Sequence, residues 1–274
     1  MPVININGVG LNYRETGRRD KRTIVFAHPM LFGSEVFDHL ASELVNDYHL
    51  ILLDIHGHGE SGYRTPLTLE EMAADYYHLL TKLDLTNVSW IGHSIGGKIG
   101  IRIALANPEA IDSLILIATT ARLDPPQLRE LAWPLWEMFR DGHREDIVDA
   151  ALQFTFAPAT HKNQPQLIEH YRNKVINYEN AEGVFEAVSA VFNRTDLSDQ
   201  INAIEAPTLV IAGREDSAMP PAESEFIASR IPNAQLAVID EAGHMLVVEK
   251  PREVTQIIRE FLEMKKVAGE GLGG

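Results

Sequence analysis

Ser94 stands in Gly92-His93-Ser94-Ile95-Gly96-Gly97, between the apolar run 88–91 and the helix-like run 98–106. A serine hydroxyl attacks an electrophilic carbon only after a base takes its proton. His244, in Ala242-Gly243-His244-Met245, is the candidate base. Asp216, in the turn-rich stretch 213–220, is the candidate carboxylate to orient that imidazole. Together they suit nucleophilic attack on a carbonyl. Glycines two residues either side of Ser94 let a strand and a helix approach closely around a strained turn. The free N–H groups and partial positive charge at the start of that helix favour an oxyanion. A strand before, a helix after and the order Ser, acid, His are the nucleophile-elbow arrangement.

Other groups compete for these roles. Asp124, after an earlier strand, is the rival acid, and Glu215 reads as pointing away. His93, Lys98 and Arg214 read as structural or supporting. His56-Gly57-His58 has a spacing at which two histidines share a metal. It is followed by Gly59-Glu60-Ser61 and not by further ligands, so no metal or other cofactor is expected.

The elements that must hold these residues can be read from hydropathy. The segments 3–6 and 11–15 flank Asn7-Gly8 as a hairpin. Short apolar strands follow at 23–27, 49–54, 88–91, 114–118, 208–213 and 236–239. Between them run helical patterns at 34–46, at 68–83 with a capping-box start at Thr68 and Glu71, and at 98–106, with further helices at 221–230 and 252–266. Apolar strands alternating with helices imply a mostly parallel eight-stranded α/β sheet covered on both faces. Chemistry in such sheets gathers at the carboxyl ends of the strands, where His28, Asp54, Ser94, Asp216 and His244 fall. The interval 123–203 breaks the alternation. Helical and rich in aromatics, it reads as an inserted cap between core segments 1–122 and 204–267. The glycine-rich 268–274 reads as a disordered tail.

Composition narrows the partners. The 274 residues carry 24 Lys and Arg against 39 Asp and Glu, a net charge of −15, which argues against nucleic acid and anionic membranes. There is no cysteine, so disulfides, zinc–thiolate sites and a cysteine nucleophile are excluded. No signal peptide or membrane span is expected, and a cytoplasmic setting fits. The expected partner is a small-molecule substrate, with a homodimer left open.

The chain resembles enzymes of the α/β-hydrolase fold over nearly its whole length. The resemblance rests on Gly92-His93-Ser94-Ile95-Gly96-Gly97, on the Asp216 loop and on Ala242-Gly243-His244 followed by Glu249-Lys250-Pro251. It also rests on His28 after the third strand and on Asp54-Ile55-His56-Gly57-His58-Gly59-Glu60-Ser61. It implies an oxyanion hole formed by the N–H groups of Ile95 and of a residue after the third strand. The family usually has His-Gly where this chain has His28-Pro29, and proline has no N–H. Met30 matches the usual donor position, with Leu31 as fallback. A second departure is His56, where the family usually has arginine; a changed structural hydrogen-bond network is expected there.

Epoxide- and halide-processing relatives carry aspartate at the elbow, so Ser94 points to an ester, thioester or lactone. The pattern is similar to the branch of 3-oxoadipate enol-lactonases, small carboxylesterases, acyl-homoserine lactonases and cofactor-free haloperoxidases, which perform perhydrolysis. Carbon–carbon hydrolases of ring-cleavage products rank lower, because their glycine-rich oxyanion loop is absent. A non-catalytic ligand receptor on the same fold is the alternative of another class, and the full set of three residues argues against it. Leu31, Trp133, Trp136, Phe139, Phe154 and Met245 are the expected apolar pocket wall.

Overall fold

The computed structural model describes residues 2–270, with side chains described as far as Met264. Eight strands form one sheet: β1 (Val3–Ile6), β2 (Val9–Gly17), β3 (Thr23–Ala27), β4 (His49–Leu53), β5 (Val88–His93), β6 (Ile111–Ile117), β7 (Thr208–Gly213) and β8 (Gln235–Ile239). Their spatial order is β1-β2-β4-β3-β5-β6-β7-β8. The β1–β2 and β2–β4 pairs are antiparallel, and every pair from β4 to β8 is parallel.

The continuous apolar strands are buried on both faces, as parallel strands crossed by helices must be. Alternate residues serve opposite layers. Val25, Trp90 and Leu114 belong to one hydrophobic cluster, and Phe26, Ile91 and Ile115 to the other. The first cluster packs under α2 (Leu69–Lys82) and α3 (Ile95–Ala106). The second packs under α1 (Asp38–Leu44) and α11 (Pro251–Glu270). Thr68 caps α2 in a reciprocal box: Glu71 N donates to its hydroxyl at 3.1 Å, and Thr68 N donates to the Glu71 carboxylate at 3.0 Å. The pattern at 34–46 divides into a 3₁₀ turn at Ser34–Phe37 followed by α1.

Between β6 and β7 run α4 (Pro126–Arg140), α5 (Arg144–Thr155), α6 (Pro158–Asn163), α7 (Pro165–Ile176) and α8 (Ala181–Phe192). Their inward residues Phe139, Leu152, Tyr171, Val175 and Val188 share the second cluster with the sheet. Burial therefore fixes the insertion over the sheet, and backbone contacts add to it. Gly57 has φ +75, and a Cβ there would meet the Gly183 carbonyl oxygen at 2.2 Å, so the loop after β4 abuts α8 directly. Arg144 donates to the carbonyls of Ile176 and Tyr178, tying α5 to the end of α7.

The remaining helices are α9 (Pro221–Arg230) and α10 (Leu246–Glu249), a short helix after His244 that the hydropathy pattern does not show. α11 continues through Glu270, three residues into the segment read as a disordered tail; residues 271–274 lie outside the described residues. Among the described residues, no helix is long and apolar enough to cross a membrane.

Candidate active site

Ser94 occupies the junction of β5 and α3 with φ 53° and ψ −112°. A non-glycine residue in the left-handed region costs roughly 1–3 kcal/mol and persists only where its surroundings hold it. Here Ser94 N donates to the Ile117 carbonyl at 2.9 Å. Its own carbonyl accepts from Thr119 Oγ1 at 2.7 Å and from the N–H groups of Gly97 and Lys98. The flanking glycines are needed sterically: a Cβ on Gly92 would lie 2.3 Å from the Gly96 oxygen, and one on Gly96 would lie 2.1 Å from the Ala27 oxygen.

The structure brings Asp216 and His244 together. His244 Nδ1 lies 2.9 Å from Asp216 Oδ2, and both residues are buried. The other carboxylate oxygen, Oδ1, accepts from Met219 N at 2.7 Å. With the carboxylate acceptor-only, Nδ1 carries the proton and Nε2 is left as the basic nitrogen. Ser94 and His244 line the same cavity. The rival acid Asp124 also reaches it, but its carboxylate is bound at 2.6 Å by Arg194. Glu215 is exposed.

The backbone of the His244 loop is fixed from several sides. His244 N and Met245 N both donate to the Thr155 carbonyl at the end of α5. Buried His93 donates from Nε2 to the His244 carbonyl at 2.8 Å. Burial and the nearby His244 hold His93 well below the usual histidine range, so it is neutral. Glu249 straps the loop to the insertion, accepting from Gly243 N at 3.0 Å, Ala157 N at 2.9 Å and Thr160 Oγ1 at 2.6 Å. Burial raises the Glu249 pKa, and these three donors partly offset the rise.

The loop after β3 offers the Met30 N–H. His28 donates from Nδ1 to the Pro29 carbonyl at 2.7 Å and accepts from Ile55 N at 2.9 Å on Nε2. That pins the Pro29–Met30 peptide, whose N–H faces the opposite way from its C=O. Leu31, at φ 70°, donates its N–H to His58 Nε2 at 3.2 Å. His58 can accept because burial, together with nearby His28, depresses its pKa to about 3, and its Nδ1 donates to the His56 carbonyl. The fallback donor Leu31 is therefore engaged. Neither Met30 N–H nor Ile95 N–H has an acceptor among the described residues.

His56 replaces the family's usual arginine and joins a buried network. Its Nε2 lies 2.9 Å from Asp75, its Nδ1 3.2 Å from the Tyr76 hydroxyl, and Arg64 supplies the cation to Asp75 at 2.5 Å. The ring nitrogens of His56 and His58 are thus all engaged by the protein.

The cavity measures about 200 Å³ and is walled mostly by apolar side chains. Leu31, Trp136, Phe154 and Met245 line it, as expected from the sequence. Trp133 and Phe139 do not, which corrects that expectation. On α4 the lining residues are Leu128, Ala132 and Trp136, a stripe with spacing four. Trp133 lies about 100° around the helix from Ala132. It packs on Phe185 and Phe192 and donates to Glu137. Phe139 is 1 % exposed and packs between Trp136 and Tyr178, inside the insertion's own core. Residues without a distinctive sequence signal complete the wall, among them Met219, Val188 and Phe192. Lys98, read from the sequence as structural or supporting, also lines it, one turn along α3 from Ser94.

A model of the alpha/beta hydrolase fold family matches residues 22–251. A thermophilic esterase of Thermogutta terrifontis, solved with malate bound, is 30% identical with a TM-score of 0.89, over 96% of this chain and 99% of that one. The enol-lactonase of Burkholderia xenovorans LB400 is 25% identical with a TM-score of 0.88, over 96% and 100%. RutD of Rhizobium rhizogenes, provisionally named a carbamate hydrolase, is 28% identical over 90% of this chain and 95% of its own. The chain belongs to the alpha/beta hydrolase fold family.

Proposed function

We propose that this hydrolase cleaves a carboxylic ester or lactone of a small to medium apolar substrate through an acyl-enzyme on Ser94. His244 Nε2 takes the Ser94 proton as Oγ bonds to the carbonyl carbon. The N–H groups of Ile95 and Met30 stabilise the oxyanion, each such donor being worth about 3–4 kcal/mol of barrier. The C–O bond then breaks, and His244 delivers the proton to the departing alkoxide. Water repeats the sequence on the acyl-enzyme, releasing the acid and restoring Ser94. Asp216 holds the imidazole with Nδ1 protonated and stabilises the imidazolium.

The observation that carries this reading is that His244, held by Asp216 at 2.9 Å, lines the same cavity as the strained Ser94. The cavity size supports a modest substrate, since about 200 Å³ lies below the ~300–1,000 Å³ usual for drug-sized ligands. A carbamate is a second reading, favoured by the likeness to RutD. Its carbonyl takes the same attack, with an amine as leaving group.

The test is turnover of an ester series from acetate to decanoate, beside small lactones and a carbamate, by wild type and Ser94→Ala. Turnover lost in a folded Ser94→Ala supports the reading, and the preferred member names the bond. Retained turnover in that variant overturns the nucleophile assignment. No turnover by well-folded wild type moves the reading to a carbon–carbon hydrolase or a ligand receptor.

A further inference from the structure

Lys98 is 2 % exposed and lines the cavity with Ser94 and His244, on a helix whose other buried charged residue is Arg102. No hydrogen bond or ion pair to its Nζ is present among the described residues. Its charged neighbours hold other partners. Arg194 is paired with Asp124 at 2.6 Å and Arg102 with Glu70 at 2.9 Å, while Asp216 is hydrogen-bonded to His244 at 2.9 Å. A buried cation without a counter-charge is costly, and it gains most from an anion that arrives in the same dry space. The remaining wall offers it little else, being mostly methyl, methylene and aromatic groups.

We propose that Lys98 forms an anion subsite in this cavity, binding a carboxylate that the substrate carries away from its scissile carbonyl. The proposal rests on the Ser94 hydrolase reading. One helical turn, ~6 Å of rise, separates Lys98 from the nucleophile, so acyl chains or alcohol groups of a few carbons span the two. The substrate class is a half-ester of a short dicarboxylic acid, an ester of a hydroxy acid, or a lactone bearing a carboxylate arm. The carboxylate takes no part in bond breaking. It docks by a charge-assisted hydrogen bond and sets which ester is oriented on Ser94.

The state of Lys98 gives the subsite a pH signature. Burial, then Arg194 and Arg102, bring its pKa down to about 7, against the pull of Asp124 and Asp216. His93, which also faces it from β5, is neutral. A bound carboxylate favours the ammonium and raises that pKa. Preference for the anionic substrate is therefore full below pH ~7 and declines as pH rises through it. His244 plays the same part toward anionic and uncharged esters, so its contribution cancels in their ratio.

The experiment compares kcat/KM for monoethyl adipate with that for ethyl heptanoate, and for carboxymethyl hexanoate with that for ethyl hexanoate, between pH 6 and 9. The expected result is a preference for at least one anionic ester at pH 6 that falls at least about tenfold by pH 9. The same ratio at pH 6 should fall at least about tenfold in Lys98→Met, the size of one charge-assisted hydrogen bond. A second measurement needs no turnover and no Lys98 variant. Calorimetry of adipate binding to Ser94→Ala in buffers of different ionisation enthalpy, at pH 7.5, should show proton uptake. Wild type that turns over uncharged esters without preferring either anionic one overturns the subsite and leaves the hydrolase reading standing. An unchanged ratio in Lys98→Met, or adipate binding without proton uptake, also overturns it. Adipate binding with proton uptake, in a protein that turns over no ester, keeps the subsite and overturns the hydrolase reading.

Discussion

Replacing Asp216 with asparagine is a nearly isosteric change whose effect can be worked from the two oxygens of the carboxylate. Oδ1 accepts from Met219 N at 2.7 Å, and Oδ2 faces His244 Nδ1 at 2.9 Å. In Asp216→Asn the amide oxygen is drawn to the Met219 N–H, so the NH₂ group faces Nδ1. Nδ1 must then become the acceptor, which puts the proton on Nε2, where it cannot take the Ser94 proton. The flipped amide restores the tautomer but sets NH₂ against the buried Met219 N–H, at roughly 1–3 kcal/mol. In either orientation the imidazolium loses a charge-assisted partner worth about 1.5–3 kcal/mol. Together these come to about 2.5–6 kcal/mol of barrier, or roughly 10²–10⁴-fold in kcat. The same swap in a serine-protease triad costs about 10⁴. The assay is steady-state ester hydrolysis with thermal melting as the folding control. A folded Asp216→Asn retaining more than a tenth of wild-type kcat would refute the reasoning.

The cavity map separates the two tryptophans. Trp136→Ala should open the wall and shift preference toward longer acyl chains, by about 1–3 kcal/mol per accommodated methylene in relative kcat/KM. Trp133→Ala should lower the melting temperature through lost packing on Phe185 and Phe192 while leaving the chain-length profile in place. If both variants share one profile, the stripe assignment on α4 is wrong. Stability should fall in acid. His58 stays neutral when folded, with a pKa of about 3, but titrates near 6.5 when unfolded, so the unfolded chain binds the extra proton as pH falls. At pH 5 this single group costs about 2 kcal/mol relative to pH 7. Buried His28 and His93 act in the same direction. A melting temperature that is flat between pH 7 and 5 would contradict the neutral, buried state of these rings.

The sheet was legible because short continuous apolar runs and strand-ending turns are local signals. Trp90 and Ile91 point to opposite layers for the same reason that adjacent residues alternate along any strand. The cap of α2 was legible because Thr68 and Glu71 complete a motif within four residues. The elbow was legible because the Gly92–Ser94–Gly96 spacing falls between a strand pattern and a helix pattern, and that context carries what the short motif alone does not. The pocket wall was read less well. Aromatic content marks α4, but only the register of the folded helix distinguishes Trp136 from Trp133. The resemblance ranked Met30 before Leu31, but what engages the Leu31 N–H is His58, 27 positions away, a contact no local pattern shows. Lys98 looked like a supporting residue because the pairing of its neighbour Asp124 with Arg194 is a tertiary contact 70 positions apart. A lysine four positions after the nucleophile was the available signal.

The central claim is a covalent bond between Ser94 and the substrate's acyl group. The most direct measurement is intact-mass analysis of wild type and Ser94→Ala after treatment with an aryl alkylphosphonate of short chain, followed by peptide mapping. The account predicts one adduct per chain, located on Ser94 and absent from Ser94→Ala, with ester turnover lost in proportion to labelling. An adduct on another residue, or full ester turnover by fully labelled protein, would contradict it.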